Sequence, residues 1–405
     1  MGLKQFATQL KERLIDEPKL PAPARQQLEL DRAGLPVYDA GPEVVVAANI
    51  QWLVRSQECS KFHDGGSARD FSLVHGWASS YPETSGYIVP TLIAYADRTN
   101  NQVLLAQARA MLDWLVSIQF SEGGFQGGKV DGTPCVPVTF NTGQILMGLA
   151  AGVRRFGDSY LDPMNRAAAW LRDSLDADGC WRKHPTPFAA PGEKAYETHV
   201  SWGLFEAARV NPDAGFGEAG LKQVRWALSK QQGNGWFASN CLEDPDCPLT
   251  HTIGYVLRGI IEAYRLSPEP DLLLAATKTA DALLRVIEKD GRVAGRLNNL
   301  WQPAVDWVCL TGSVQIAACW YLLNAIAPRP DYLNAAKLAN RYVRRNVIVS
   351  GDPDVVGGVR GAFPVNGNYG RFEYLNWAAK FCADSQMMEM DSIAGDLPLP
   401  HSCNN

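Results

Sequence analysis

Three carboxylates stand just before apolar helical stretches, each close in sequence to an aromatic residue. They are Glu83, Glu197 and Asp306, and their aromatic neighbours are Tyr81, Tyr196 and Trp307. Glutamate is a poor helix N-cap, and a capping box places it three residues inside the helix rather than before it. A carboxyl against an aromatic wall has its neutral form favoured by desolvation, which suits a general acid. These three residues are therefore the predicted catalytic groups, with Glu83 the first choice.

A structural interpretation competes with this one. Salt bridges to Arg69, Arg360 or Arg371 would also account for carboxylates at these positions. Polar residues before a helix are commonly N-caps, which is the favoured interpretation of Thr84, Thr142, Thr252 and Thr311.

Histidines gather near the same helix starts. The chain has six, and three of them, His75, His199 and His251, fall close to these positions. Histidine and tyrosine can transfer protons, and Asn141, His199, His251, Arg371 and Tyr374 could together remove a C5 proton from a uronic acid and neutralise its carboxylate. No HxxxH or Cys/His spacing indicates zinc, so we predict no metal and no cofactor.

A glycine-rich stretch, GGVRGAFPVNGNYGRFEYLNW, precedes the last apolar helix. Its arginines could hold an anionic group and its aromatic residues could stack on a sugar ring, while the lack of GxGxxG argues against a nucleotide. The full set of predicted substrate-binding residues is His75, Trp77, Tyr81, Asn141, His199, His251, Trp307, Arg360, Tyr369, Arg371, Tyr374, Asn376 and Trp377.

These residues are positioned by a repeat of two helices and a loop. Small or polar residues start the second helix of each unit, at Gly86, Gly143, Ser201, Gly254, Gly312 and Asn376, with spacings of 57, 58, 53, 58 and 64 residues. A helical hairpin cannot bury its apolar face alone, and six of them can close into a ring. We therefore predict an all-α (α/α)6 toroid in which the second helices form the inner barrel and their starts line one mouth.

The predicted domain boundaries follow from the same repeat. Residues 1–41 form an N-terminal arm, with an amphipathic helix over about 3–15 followed by a proline-rich stretch, residues 42–390 form the toroid, and residues 391–405 form an extended tail.

The turns between helices carry a resemblance to known proteins. They are Gln119-Phe-Ser-Glu-Gly123-Gly124-Phe125, Gln231-Gln-Gly-Asn-Gly235-Trp236 and Asp178-Gly179-Cys-Trp181. With the six-fold repeat, they resemble the (α/α)6-toroid superfamily of glycan-processing enzymes. They are also similar to the repeats of prenyltransferases and squalene cyclases. The resemblance covers nearly all of the chain after about residue 42.

Two absences favour the glycan-processing branch. No Asp-x-Asp-Asp motif of class II terpene cyclases is present, and Cys309, three residues after Asp306, has no clear histidine partner for a prenyltransferase zinc site. The resemblance thus implies a glycoside hydrolase that uses Glu83 with Asp306 or Glu197 on an oligo- or polysaccharide. The alternatives are a uronate lyase or C5-epimerase, a terpene cyclase or prenyltransferase-like protein, and a non-catalytic glycan-binding protein.

Composition excludes several other classes. The net charge of −5 and the pI of about 5.8 argue against nucleic-acid or anionic-membrane binding. No run of about 18 apolar residues predicts a membrane span, and no apolar core of a secretory signal is visible, so we expect a cytoplasmic protein. Nine scattered cysteines without a CxxC pair predict reduced thiols. Nothing in the sequence indicates an oligomeric state.

Overall fold

The computed structural model describes residues 17–394, and its secondary structure is almost entirely helical. The helices are α1 (Ala22–Arg32), α2 (Pro42–Glu58), α3 (Pro82–Thr99), α4 (Gln102–Ser117), α5 (Thr139–Phe156), α6 (Leu161–Ser174), α7 (Thr198–Val210), α8 (Phe216–Leu228), α9 (Thr250–Leu266), α10 (Pro270–Leu284), α11 (Leu310–Ile326), α12 (Pro330–Arg344) and α13 (Asn376–Ala394). None of the helices in this range is long and apolar enough to cross a membrane.

Six helices form an inner ring. Each of α3, α5, α7, α9, α11 and α13 packs against the next, and α13 returns to α3, so the ring closes. The remaining helices from α2 to α12 pack against the outside of this ring. The predicted (α/α)6 toroid is confirmed, with the second helix of each unit on the inside.

The small residues at the inner helix starts are explained by close packing. A Cβ atom added to Gly86 would lie 2.4 Å from Cα of Ile145 on the next inner helix, and one added to Gly143 would lie 2.8 Å from Cα of Val200. Further along α5, a Cβ on Gly148 would meet the carbonyl oxygen of Gly86 at 2.2 Å. Only glycine allows this approach of two backbones, which brings the first turns of α3 and α5 together.

The N-terminal arm contains a helix that the proline-rich sequence did not predict. Helix α1 begins directly after Pro21, where a proline-rich start is tolerated because the first N–H groups need no partner. Asp31 at its end is buried and forms an ion pair with Arg360, while its second oxygen accepts from the backbone N–H of Val365. The arm is thus anchored to the sixth loop. The amphipathic helix predicted over about 3–15 lies outside the described residues.

Short strands organise the loops at the mouth of the ring. Strands β1 (Asp70–Ser72), β2 (Gly76–Trp77) and β5 (Glu373–Leu375) form one antiparallel sheet in the order β2-β1-β5, and β3 (Val308–Cys309) pairs with β4 (Ala362–Phe363). The first sheet joins the loop of the first unit to that of the sixth. At the other end of the chain, α13 continues to Ala394, beyond the predicted start of the tail at 391.

Candidate active site

A cavity of about 190 Å³ opens at the mouth of the ring, where the inner helices begin. Its walls are mostly aromatic, with one arginine, one carboxylic acid and one histidine. The lining residues are Arg69, Tyr81, Glu83, Tyr87, Phe140, Thr186, Phe188, Tyr196, Leu242, His251, Tyr255, Tyr369 and Trp377. A concave, aromatic site with few polar groups is typical of small-molecule binding.

Glu83 lies in the first turn of α3 and is only 9% exposed. Its Oε2 accepts a hydrogen bond of 3.0 Å from Nδ2 of Asn141 on the neighbouring inner helix. Burial raises the pKa of Glu83 to about 8, although Arg69 and the Tyr81 hydroxyl oppose part of this rise. Glu83 is therefore protonated at neutral pH and can act as an acid.

His251 lies in the first turn of α9 and is held by Gln315 of α11. The Nδ1 atom is 2.7 Å from the Gln315 carbonyl oxygen, which only accepts, so Nδ1 carries the proton and Nε2 keeps its lone pair. Burial lowers the pKa of His251 to about 4. The ring is neutral at pH 7, and Nε2 is available as a base.

Three tyrosines lie between or beside these two groups. The ring of Tyr255 is 4.3 Å from that of His251, and the ring of Tyr369 is 5.5 Å from it. Burial raises the pKa values of Tyr81, Tyr255 and Tyr369, with the charge of Glu83 adding to the effect. These hydroxyls stay protonated and can donate hydrogen bonds to a ligand.

Arg69 supplies the positive charge of the cavity. Its Nη1 is 2.6 Å from a carboxylate oxygen of Asp70 and 3.0 Å from one of Glu373, and its guanidinium lies 5.2 Å from the centre of the Trp377 ring. The two carboxylates neutralise Arg69 and hold it in place. Trp377 in turn donates a 2.8 Å hydrogen bond from Nε1 to the Tyr369 hydroxyl, which orients both rings.

Glu197, the second predicted carboxylate, faces a different cavity. It ends a short 3-10 turn, Ala195–Glu197, directly before α7, and burial raises its pKa to about 8. It lines a neighbouring cavity of about 230 Å³, which shares Thr186 with the first one. Its sequence neighbour Tyr196 lines the first cavity, so consecutive residues face two adjacent spaces.

Asp306, the third predicted carboxylate, is not brought to either cavity. Its side chain is exposed, and its backbone carbonyl accepts a 2.8 Å hydrogen bond from Arg292. The neighbouring Trp307 is buried in a small cluster with Leu249, Cys309 and Ala362. Glu83 is therefore the only carboxylate among the described residues that line the first cavity.

Several predicted binding residues have structural roles. Arg360 is 3% exposed and paired with Asp31, so its predicted role in holding an anionic group is not supported. The Tyr374 hydroxyl donates to Gln27 of α1, and the Asn376 amide donates to Thr84, Ser67 and the carbonyl of Ala68.

The remaining predicted binding residues also lie outside the first cavity's lining. Trp77 packs on Trp52 and donates to Asp354, whereas His75 and Arg371 are exposed. His199 is buried, with Nδ1 bonded to Gln144, and its ring lies 4.3 Å from that of Tyr255, behind the cavity.

Some residues that line the first cavity were not predicted from the sequence. Tyr87 and Tyr255 each follow a cavity residue, Glu83 or His251, by four positions on the same helix, and that spacing could have identified them. Arg69 and Phe188 stand on loops whose position has no local sequence signal. Phe188, which is 56% exposed, forms part of the rim of the cavity.

No group of three or more His, Cys, Asp or Glu residues that could hold a metal ion is found within residues 17–394. The predicted site residues that do converge on the first cavity are Tyr81, Glu83, His251, Tyr369 and Trp377, with Asn141 behind Glu83.

The fold is similar to that of solved carbohydrate enzymes. An unsaturated glucuronyl hydrolase specific for heparin matches with a TM-score of 0.69 and 14% identity, over 88% of this chain and 98% of that one. The unsaturated glucuronyl hydrolase from Bacillus sp. GL1 that degrades glycosaminoglycan gives 0.68 and 13%, over 90% and 100%. Cellobiose 2-epimerase from Bacillus thermoamylovorans gives 0.67 and 12%, over 89% and 98%.

No protein-family model matches the sequence, and no curated protein is similar to it. At these identities the structural similarity establishes the toroid fold alone.

Proposed function

We propose that this protein is a carbohydrate-active enzyme that transfers protons on one sugar residue, with Glu83 as the acid and His251 as the base. The observation that carries the proposal is the environment of Glu83: a buried carboxyl bonded to Asn141, in an aromatic cavity that also contains a neutral histidine. The similarity in fold to glucuronyl hydrolases and a sugar epimerase supports a carbohydrate as the substrate.

The charge state of the site favours proton transfer over hydrolysis by paired carboxylates. Hydrolysis of that kind needs one protonated and one ionised carboxyl on either side of the bond. Glu83 is the only carboxylate that lines the cavity among the described residues, and it is kept neutral by burial. A neutral acid with a neutral base instead suits removal of a proton beside a carbonyl group.

In the proposed step, Nε2 of His251 takes a proton from the carbon next to an aldehyde or carboxyl group. Glu83 gives its proton to the oxygen of that group, so that an enol forms without a free anion. If a water molecule then protonates that carbon on the opposite face while Glu83 takes back the enol proton, an epimer forms, and His251 gives its proton to the hydroxide left behind. If the group on the adjacent carbon leaves instead, His251 protonates its oxygen, Glu83 takes back the enol proton, and an unsaturated sugar forms. Protonated Tyr81, Tyr255 and Tyr369 would hydrogen-bond the sugar hydroxyls, and Trp377 and Phe140 would pack on its ring.

Glycoside hydrolysis is the second candidate, and the raised pKa of Glu83 favours it independently. A carboxyl that stays protonated at neutral pH can protonate a glycosidic oxygen, with water activated by His251 in place of a second carboxylate. Its fold neighbours include two glucuronyl hydrolases.

The replacement Glu83→Gln tests the proposal. The amide keeps the size and the contact with Asn141 but cannot give a proton, so we expect kcat to fall by roughly 10²–10⁴-fold. Asp306→Asn is the matched control, since this exposed carboxylate lies away from the cavity, and its turnover should equal that of the unmodified protein.

Turnover is measured on a panel of neutral and uronate-containing oligosaccharides with three readouts. Exchange of solvent deuterium into carbon identifies epimerisation, absorbance of an unsaturated uronate identifies elimination, and new reducing ends identify hydrolysis. Unchanged turnover in the Glu83→Gln variant would refute the role of Glu83. Release of reducing ends without deuterium exchange would favour the hydrolase.

A further inference from the structure

The cavity beside the candidate active site has polar groups without protein partners. It is lined by Trp181, Arg182, Pro185, Thr186, Ala190, Pro191, Gly192, Glu193, Lys194 and Glu197, and encloses about 230 Å³. Glu197 is 6% exposed, and its Oε2 has no hydrogen-bond partner among the described residues. A buried polar atom without a partner costs free energy, so its retention points to a ligand that completes it.

Lys194 adds a cation without a direct ion-pair partner. The residue is 7% exposed, and within residues 17–394 its ammonium makes no hydrogen bond and no ion pair shorter than 4.0 Å. Glu197 interacts with the charge of Lys194, but desolvation raises the pKa of Glu197 to about 8 despite Lys194, so it carries little negative charge at neutral pH. Buried charges are normally paired, so an anionic ligand would fit here.

The other charged residues around this cavity form ion pairs within the protein. Arg182 forms ion pairs with Asp176, Asp178 and Glu193, and Glu193 also pairs with Lys230 at 2.7 Å. These pairs fix both ends of the loop that forms the cavity wall. Within residues 17–394, Lys194 is thus the one cation of this lining without an ion pair of 4.0 Å or less.

The two cavities are neighbours on one loop. Thr186 lines both, Phe188 lines the active-site cavity, and residues 190–194 line the second. The loop is tied down between them by a 2.6 Å hydrogen bond from the Ala190 N–H to the carbonyl of Leu242, which also lines the first cavity. A chain of two sugar residues in contact with Glu83 could thus place its second residue against Lys194.

We propose that the cavity of Lys194 and Glu197 is a second sugar subsite that binds a residue carrying a carboxylate or sulfate group. Lys194 pairs with the anionic group, the Glu197 carboxyl hydrogen-bonds a hydroxyl, and Trp181 and Pro185 pack on the ring. The inference rests on the proposed function, because it assumes that the first cavity holds a sugar. It defines the substrate as an acidic oligosaccharide of at least two residues.

Binding of defined disaccharides by isothermal titration tests this subsite. The probes are cellobiose, its two analogues with a glucuronic acid at either ring, and glucose. We expect one acidic analogue to bind about tenfold more tightly than cellobiose, since a hydrogen-bonded ion pair is formed only with it. In Lys194→Met this tenfold preference should disappear, while the affinity for glucose stays the same.

Two further variants separate a binding role from a structural one. Lys183→Met removes a lysine from the same loop outside both cavities and should keep the preference. Glu197→Leu should weaken binding of all the disaccharides severalfold and leave glucose unchanged. Lys194→Met should unfold at about the same temperature as the unmodified protein, since the ammonium makes no hydrogen bond or ion pair with the described residues that the change would remove.

Failure of this inference is distinct from failure of the proposed function. If no acidic analogue binds better than cellobiose, or if Lys183→Met loses the preference as Lys194→Met does, the subsite assignment is overturned. Turnover that survives Glu83→Gln would refute the proposed function instead, whatever the titrations give.

Discussion

Two buried carboxylates on the inner helices have opposite environments, although both belong to the same ring. Glu83 is in the first turn of α3, where Arg69 is the one cation among the described residues that favours its ionised form, and burial raises its pKa to about 8. Glu262 is near the other end of α9 and is fully buried, but three arginines surround it and its pKa is lowered in spite of desolvation. Burial is similar in the two places, and the counter-charge decides the direction of the shift.

The partners of Glu262 show how that end of the barrel is compensated. Its Oε1 lies 2.8 Å from Nε of Arg258 and 3.0 Å from Nη1 of Arg265, and Arg209 lies 3.9 Å from its Oε2. Arg258 also covers the Trp202 ring at 4.0 Å. The negative charge of Glu262 is thus compensated by arginines of the protein itself, as expected for a residue with a structural role.

Glu83 lacks such compensation and faces an open cavity. A group left neutral and unpaired at a mouth lined by aromatic rings is a candidate for chemistry, whereas one enclosed by arginines stabilises the fold. The comparison predicts that the two carboxylates respond oppositely to mutation and to pH.

The largest effect on stability is expected for Glu262→Gln. Removing the carboxylate leaves Arg258 and Arg265 buried without their partner, which should lower the free energy of unfolding by about 3–5 kcal/mol. Urea denaturation at pH 7 measures it. Glu269→Gln is the control, because Glu269 pairs with Arg225 in an exposed ion pair and should change stability little. Equal losses in the two variants would contradict the distinction.

The next effect is a difference in the pH dependence of stability. Glu83 has a folded pKa of about 8 against an ordinary value of 4.5, so the folded state holds an extra proton between these values and loses stability as pH rises through them. Glu83→Gln should remove this loss and be more stable than the unmodified protein by about 3 kcal/mol at pH 7.

Glu262 should show the opposite sign. Its lowered pKa contributes stability above the ordinary value of 4.5, and this contribution is lost as the pH falls below it. Denaturation curves from pH 4 to pH 9 compare the two variants. A Glu83→Gln variant that is less stable than the unmodified protein at pH 8 would show that Glu83 is ionised and paired, in contradiction to this account.

The toroid fold could be predicted from the sequence because the residues that require it are close in sequence and recur in the repeat. Gly86 and Gly143 stand where two inner helices touch, and the same close contact returns at Gly254 and Gly312. Glu83 was chosen on the prediction that it stands before an apolar helix, where glutamate has no capping role, but the structure places it inside the first turn of α3. Its burial and raised pKa fit that choice, but whether it is catalytic stays a prediction.

The rest of the site depends on contacts between distant segments. Arg360 was expected to line the mouth of the barrel, but it pairs with Asp31 of α1, more than 300 residues earlier in the chain. Helix α1 was not predicted, because its segment is rich in proline. Asp306 lies in the loop four residues before α11, whereas Glu83 lies inside the first turn of α3, and the loop leaves the Asp306 side chain exposed to solvent. The conformation of the loops depends on contacts between residues that are distant in the sequence, and a repeat in the sequence does not reveal such contacts.

A smaller effect concerns the pH dependence of the proposed activity. Protonated Glu83 and neutral His251 coexist between their pKa values of about 8 and about 4, so kcat/KM should follow a bell with limbs near these values. Beyond each limb the rate should fall about tenfold per pH unit. His251→Gln should leave a slow reaction without the acid limb. A rate that rises above pH 8 would mean that Glu83 acts ionised, as a base.

The smallest effect is expected at the far end of the barrel, for Lys380→Met. Lys380 is 2% exposed, lies 4.4 Å from the centre of the Phe381 ring, and bonds to Asp384 at 2.5 Å. Methionine fills the same apolar space, and Asp384 keeps its 2.7 Å hydrogen bond from Thr91. The Asp384 side chain is also 20% exposed, so water can solvate the carboxylate once Lys380 is gone, and the free energy of unfolding should change by less than about 1 kcal/mol.

Turnover in this variant tells whether the two ends of the barrel are independent. Tyr87 lines both the active-site cavity and a third cavity, which lies beside Lys380. The far end of the barrel could therefore influence the chemistry through Tyr87. If the two ends are independent, kcat and KM of this variant stay within about twofold of the unmodified protein. The reason is that the charged groups at the far end pair with each other and do not contact the substrate. A tenfold loss of kcat at unchanged stability would instead place Lys380 in the catalytic machinery.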